Sequence, residues 1–224
     1  MEDIRSQLLR STTVPQVNRR VTNFVTIHYN GPSVAAIPND IALLKADARF
    51  HVNVRGWDGL AYHYAVGRDG QQYQCRDQIA RLNHSGVPQG NSESLAVFVA
   101  CGEGDVPPQI QLSSLESLLG WIGIPPHHVL SHKLWPRATT CPGAMLSRWL
   151  DSYWLRYSGR QITGKVKWVT NVRDKPDVTS HLLRKLSPGT AISGTTILTN
   201  PVKGDSMWIK LDGTDDYIHS SGLG

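Results

Sequence analysis

Val21-Thr22-Asn23-Phe24-Val25-Thr26-Ile27-His28-Tyr29 interleaves β-branched and aromatic residues and stops at Asn30-Gly31-Pro32. This is the pattern of a strand delivered into a turn, and it places His28 at a strand end. Downstream, Asn39 and Asp40 can cap a helix running through about Phe50, with Ile41, Leu44 and Ala48 at helical spacing. Residues 61–66 and 71–74 flank Gly67-Arg68-Asp69-Gly70 as the arms of a hairpin. Residues 95–100 form a nearly unbroken apolar run, the mark of a strand covered on both faces. Residues 112–122 are periodic in the helical sense, as are 143–157, where Met145, Leu146, Trp149, Leu150, Tyr153 and Trp154 recur. Strands interleaved with helices predict an α/β fold over residues 1–158, a mixed central β-sheet flanked by helices.

After Ser158-Gly159 the pattern changes to short strands separated by turns, at 166–172, 190–192, 195–199, 207–211 and 216–219. These predict a second, small all-β domain over residues 162–224, of a size at which a barrel can just bury a core. Its succession of Asn171-Val172-Arg173, Leu186-Ser187-Pro188-Gly189-Thr190, Trp208-Ile209-Lys210 and Tyr217-Ile218-His219-Ser220 resembles a bacterial SH3 domain. The resemblance implies an SH3-like barrel that binds cell wall or positions substrate. Trp168, Asn171, Trp208, Asp216 and Tyr217 are its candidate shallow site for wall peptide, with at least one of the two tryptophans expected to fill the core instead.

Composition narrows the partners. The chain has 224 residues, 40% hydrophobic and 18% charged, which suits a folded protein with a packed core. Its net charge of +5 is carried by dispersed basic residues, without the Lys/Arg stripe interleaved with aromatics that nucleic-acid binding needs. A mild positive field suits a polyanionic surface such as a bacterial wall. Residues 1–20 are polar and contain Arg5, Arg10, Arg19 and Arg20, so no secretory signal is expected, and no apolar run is long enough to span a membrane. Cys75, Cys101 and Cys141 are odd in number and widely spaced, which argues against a disulfide framework and for synthesis in a reducing cytoplasm.

Seven of the nine histidines lie in the first domain. His28 ends a strand, and His132 precedes Cys141 in a loop that can bring an imidazole and a thiolate to one ion. Two His and one Cys leave a fourth tetrahedral position for water, as in catalytic zinc sites. The segments Thr26-Ile27-His28-Tyr29-Asn30, Ala61-Tyr62-His63-Tyr64 with Arg68-Asp69-Gly70, and Leu130-Ser131-His132 with Thr139-Thr140-Cys141-Pro142-Gly143 occur in family order. Together they resemble the zinc amidase family that includes amidase-type phage lysozymes and peptidoglycan recognition proteins. The resemblance implies a Zn2+ site at His28, His132 and Cys141, catalytic roles for Tyr62 and Thr139, and hydrolysis of the bond between N-acetylmuramic acid and L-alanine in bacterial peptidoglycan.

Two departures qualify the likeness. Relatives often carry lysine where Thr139 stands, and Phe98 follows Ser94-Leu95-Ala96-Val97 where some branches place a glutamate base. The chain therefore sides with the tyrosine-using branch, with Glu93 and Glu103 expected to be solvated. His84, in Leu82-Asn83-His84-Ser85-Gly86, matches a position near the substrate and is expected to contact substrate or support a metal ligand, with Asn91 bracing its loop. His63, alternating with Tyr62 on a strand, is expected in the core; His127 and His128 are expected in solvent, and Cys75 and Cys101 buried. A wall-hydrolase cysteine peptidase would need a histidine after its cysteine, but only His181 and His219 follow Cys141, both in the small domain. A non-catalytic peptidoglycan receptor would typically lack a zinc ligand. A monomeric phage endolysin, made without a signal and acting on the wall after release, is the expected setting.

Overall fold

The computed structural model describes residues 1–136, 138–156, 158–198 and 207–223. The chain divides into two compact units, Met1–Ile124 with Val129–Ser147, and Pro125–His128 with Arg148–Gly224. In the first unit, β1 (Glu2–Asp3), β2 (Phe24–His28), β3 (Tyr64–Val66), β4 (Gln72–Gln74), β5 (Ser94–Val99) and β6 (Val129–Ser131) form one sheet in the order β1-β4-β3-β5-β2-β6. Four of its pairings are parallel, and β3 with β4 is the antiparallel hairpin expected around Gly67-Arg68-Asp69-Gly70. The mixed sheet of the sequence reading is thus observed. Every residue of β2 and β5 is buried, as their near-continuous apolar character requires of central strands.

Four helices accompany these strands: α1 (Asp40–Asn53), α2 (Pro88–Glu93), α3 (Gln109–Ile122) and α4 (Gly143–Leu155). The side chain of Asn39 caps α1 by accepting the Ala42 N–H at 2.8 Å. The helix turns Leu43, Leu44 and Ala48 into a core with Ile4, Leu60, Ala65 and Phe98. At its start Asp40 accepts from Arg68 Nε at 2.7 Å and from the Arg68 N–H at 2.8 Å, tying α1 to the hairpin turn. Gly67 permits this approach, since a Cβ there would lie 2.6 Å from Asp40 Oδ2. α3 ends at Gly123, whose φ of 74° is the left-handed cap that glycine adopts freely. The division between the two units falls inside α4.

Register puts the chemistry at one edge of the sheet. β2, β5 and β6 run parallel, with His28 opposite Phe98 and Ile27 opposite Ser131. His28 and His132 therefore emerge side by side at the carboxyl ends of neighbouring strands, where open α/β sheets place their ligands. Tyr62 lies just ahead of β3, because the ladder starts at Tyr64 and leaves residues 61–63 as a connection.

The second unit holds an antiparallel sheet of β7 (Gln161–Lys165), β8 (Thr170–Arg173), β9 (Leu182–Leu186), β10 (Ala191–Leu198), β11 (Met207–Leu211) and β12 (Tyr217–His219), ordered β7-β10-β11-β12-β8-β9. Val172, Ile209, Leu211, Ile218 and Leu223 form its core. The expected strand at 166–172 begins only at Thr170, with Val166 bridging Leu223 alone. The two strands expected at 190–192 and 195–199 are one, β10, while Thr199 lies outside the described residues. Gly194, between the two expected strands, is a close backbone approach: a Cβ there would sit 2.3 Å from the Lys210 carbonyl oxygen. β9 carries no alternating pattern because nearly all of it is exposed. Among the described residues no helix is long and apolar enough to cross a membrane.

Cap and core of α1 differ in what they contribute. Asn39→Ala is expected to lower the stability of α1 by about 1 kcal/mol, and Leu43→Ala by about 2–5 kcal/mol. Native-state hydrogen exchange of the α1 amides reads both, and equal losses would show that packing does not dominate this helix.

Candidate active site and metal centre

His28, His132 and Cys141 converge, with one ligand atom from each lying within 4.8 Å of the others. Cys141 Sγ is 3.6 Å from His28 Nδ1, and the two imidazole centroids are 4.6 Å apart. The outer nitrogens are already engaged by one loop: His28 Nε2 lies 3.0 Å from His84 Nδ1, and His132 Nε2 lies 3.2 Å from the Ser85 carbonyl oxygen. A neutral imidazole that offers its Nδ1 lone pair to a cation carries its proton on Nε2, so both outer contacts then become donated hydrogen bonds. Two imidazole nitrogens and a sulfur fit a tetrahedral zinc with one position open. Burial, reinforced by His132, His84, His63 and His51, holds the His28 pKa well below the ordinary histidine range, which keeps this residue in its ligating form. Burial also pushes the Cys141 thiol up to about 12, a preference that a bound cation would reverse.

The loop that holds both histidines is itself braced. Asn91 Oδ1 accepts the Ser85 N–H at 2.9 Å and lies 2.9 Å from Ser85 Oγ, which is the bracing expected of Asn91. Gly90 must be glycine here, because a Cβ would meet Ser85 Oγ at 2.4 Å and Trp135 Cδ2 at 2.8 Å. The Trp135 indole N–H donates to Thr26 Oγ1 at 2.9 Å, anchoring the His132 side to β2. Near the cysteine, Thr139 Oγ1 accepts the Cys141 N–H at 3.1 Å and keeps its own proton to give. Tyr29 OH donates to Glu103 Oε2 at 3.3 Å and contacts Thr140 Oγ1 at 3.1 Å. Gly143 lets that ring approach, since a Cβ there would be 2.7 Å from Tyr29 Cε2.

Tyr62 stacks on Phe98 with centroids 4.8 Å apart and stands 5.4 Å from the His28 ring. Burial, with Asp47 and Cys141, raises its hydroxyl well above the usual tyrosine range, so it remains a donor. Tyr62, Thr139 and the three candidate ligands line one open cavity of about 270 Å³, which His84, His51 and Trp57 also border.

The remaining histidines divide. His84 is buried behind His28 and supports that ring. His63 is fully buried, its Nδ1 accepting the Ala96 N–H at 2.9 Å and its Nε2 2.8 Å from the Ala80 carbonyl, as core packing predicted. His128 corrects the expectation of solvent exposure: it is 3% exposed, in a short turn that counts with the second unit. The side chain of His127 lies outside the described residues. Cys75 and Cys101 are buried free thiols, as expected. Glu103 is exposed and Glu93 partly so, the latter accepting from Asn23 Nδ2 at 3.1 Å. Ser85, Gly90, Trp135 and Tyr29 were given no role in the sequence reading because none offers a ligand atom of its own, Ser85 acting through its carbonyl and the others on neighbouring residues.

In the second unit, Trp168, Asn171 and Trp208 line one pocket of about 160 Å³ with Arg173, His219 and Ser221. Asp216 instead pairs with Arg184, and Tyr217 is spent in the β11-β12-β8 ladder, so neither lines this pocket.

The fold has counterparts. A mutant of Drosophila PGRP-LB in complex with tracheal cytotoxin superposes with a TM-score of 0.53 at 24% identity, covering 63% of this chain and 87% of that one. Peptidoglycan recognition protein-LE, also in complex with tracheal cytotoxin, gives 0.54 at 23% identity, covering 64% and 87%. By sequence, peptidoglycan-recognition protein LB of Drosophila melanogaster is 27% identical over 139 residues, a match covering 58% of each chain. The N-acetylmuramoyl-L-alanine amidase of Mus musculus is 28% identical over 150 residues, covering 62% of this chain but only 28% of the mouse protein. The N-acetylmuramoyl-L-alanine amidase family pattern matches residues 18–144, which contain the three candidate ligands and the loop against their outer nitrogens. On that match, which spans more than half of its length, the chain belongs to the N-acetylmuramoyl-L-alanine amidase family.

Proposed function

We propose that the protein is a zinc-dependent hydrolase cutting the amide between N-acetylmuramic acid and the L-alanine of the stem peptide. The observation that carries this is the convergence of His28, His132 and Cys141 within 4.8 Å beside an open cavity. Zinc held there would lower the pKa of a coordinated water to roughly 7 and polarise the scissile carbonyl. The protein's own groups do the rest. His84 and Ser85 orient the imidazoles, the Tyr62 hydroxyl donates to the developing oxyanion or orients the attacking water, and Thr139 supplies a second donor.

The same Cys141 and His28 pair argues against a cysteine peptidase. An activated pair needs a lowered thiol pKa beside a protonated imidazole, whereas burial moves both in the opposite direction. Pure peptidoglycan binding is the alternative that activity measurements would expose. The small β unit is assigned as an SH3-like wall-binding module on its sequence pattern and its aromatic pocket. A monomeric phage endolysin, acting on the wall after release from the cytoplasm, is the biological setting proposed.

Chelation is expected to abolish wall lysis and added Zn2+ to restore it; full activity in a metal-free preparation would sink the assignment. Cys141→Ser should lose both metal and most activity, because a hydroxyl is a far poorer zinc ligand than a thiolate. Metal content must be measured in the same variant.

Tyr62→Phe should keep its zinc and lose turnover by about 10²-fold, the scale of one lost oxyanion donor. Unchanged turnover would reduce Tyr62 to packing.

Removing the chain after Ser158 is expected to weaken lysis of whole walls far more than cleavage of a small soluble muropeptide, since a linked binding module raises local substrate concentration without altering the chemistry. The comparison is made on truncated protein confirmed as folded and zinc-loaded, and equal loss on both substrates would assign the module to support of the fold.

A further inference from the structure

We infer that His51 is a positioning residue for Tyr62, its Nδ1 accepting the Ala61 N–H and so setting where the neighbouring tyrosine stands. The bond measures 3.3 Å and is buried. His51 lies on α1, and its own carbonyl accepts the Trp57 N–H at 2.9 Å while its ring stacks on the Trp57 ring at 4.8 Å and 26°. One residue therefore holds both the first half of the connection between α1 and Tyr62 and its last amide.

Arg76 holds the same connection from the other side. It donates from Nη1 to the Leu60 carbonyl at 2.8 Å and pairs with Asp58 through Nη2. Gly59 makes room for that guanidinium, since a Cβ there would lie 2.6 Å from Nη1. The Leu60–Ala61 peptide group, one before the amide of Tyr62, is thus held at both its carbonyl and its N–H. The His51 ring also meets the Tyr62 ring at 5.8 Å and 70°, a T-shaped contact beside the Phe98 stack. Burial, with Arg55 nearby, lowers the His51 pKa to about 4, so the imidazole is neutral at working pH and Nδ1 keeps its lone pair. With Nδ1 accepting, the proton resides on Nε2.

The catalytic consequence rests on the amidase assignment, whereas the positioning itself does not. The test uses the full-length zinc-loaded protein and two variants. His51→Asn keeps an acceptor oxygen near the place of Nδ1 and loses the Nε2 proton; His51→Phe keeps the flat ring and loses the acceptor. Nuclear Overhauser contacts between the Tyr62 and His28 rings, and slow exchange of the Ala61 amide, are expected to survive in the Asn variant and to weaken in the Phe variant. On a soluble muropeptide, the Phe variant should lose kcat by about tenfold to a hundredfold, the scale of a small misplacement of a reacting group. KM should stay within about twofold, and the Asn variant should recover most of the loss. In a Tyr62→Phe background the Phe substitution should add nothing further.

Unchanged ring contacts and Ala61 exchange in the Phe variant would overturn the proposal. So would a KM increase shared by both variants at intact kcat, which would make His51 a substrate contact. If the Phe variant fails to fold, His51→Gln, whose amide reaches the Nε2 position instead, takes its place with the same expected losses. A wild-type protein that leaves the muropeptide intact would remove the amidase assignment, and the ring contacts and exchange rates would still decide the role of His51.

Discussion

Everything at the candidate centre depends on one short segment, the His84 imidazole and the Ser85 carbonyl, meeting the outer nitrogens of two histidines that emerge from different strands. An imidazole has two nitrogens, and holding one of them settles both the tilt of the ring and the tautomer of the other. His28 and His132 arrive at the same level because β2 and β6 are paired in parallel, but level strand ends alone would leave both rings free to rotate. The loop removes that freedom. Its own conformation is then secured by the Asn91 carboxamide, by the absent side chain at Gly90, and by a buried polar chain running from Trp135 through Thr26 to Ser94, where the last pair of hydroxyls is 2.6 Å apart.

Burial gives these groups their chemical character. A desolvated imidazole resists protonation and a desolvated phenol resists losing its proton. His28 therefore faces the centre as a lone-pair donor, while Tyr62 faces it as a hydrogen-bond donor. The two residues stand 5.4 Å apart and are driven to opposite roles by one physical cause. Thr139 differs in kind: partly exposed and already accepting from the Cys141 amide, it contributes as much to the shape of the cysteine loop as to any reacting group.

Much of this was legible in the sequence, and the part that was not has a common character. The strand ending at His28, the cap at Asn39, the hairpin at Gly67-Arg68-Asp69-Gly70 and the apolar run of β5 are local signals, each read within a few residues, and each is found. His28, His132 and Cys141 were readable because metal chemistry restricts the residue types that can serve. Ser85 acts through its carbonyl and Gly90 through what it lacks, so neither announces itself by chemistry. His128 misled because flanking prolines and polar neighbours look like a surface loop, and Pro125 is indeed exposed, although His128 itself is buried. In the second unit, β9 has no alternation to detect, and Gly194 lies in a strand interior where the Lys210 carbonyl leaves no room for a side chain.

That a single loop serves both histidines has a consequence for how the site can vary. Substitutions at His84, Ser85, Gly90 and Asn91 all act on one shared geometry, so their effects on the orientation of the two rings, and on affinity for the proposed zinc, are non-additive: the first disturbance releases both rings, and a second finds little left to lose. The converse holds for repair, because a compensating change in the loop restores the orientation of both imidazoles together or of neither.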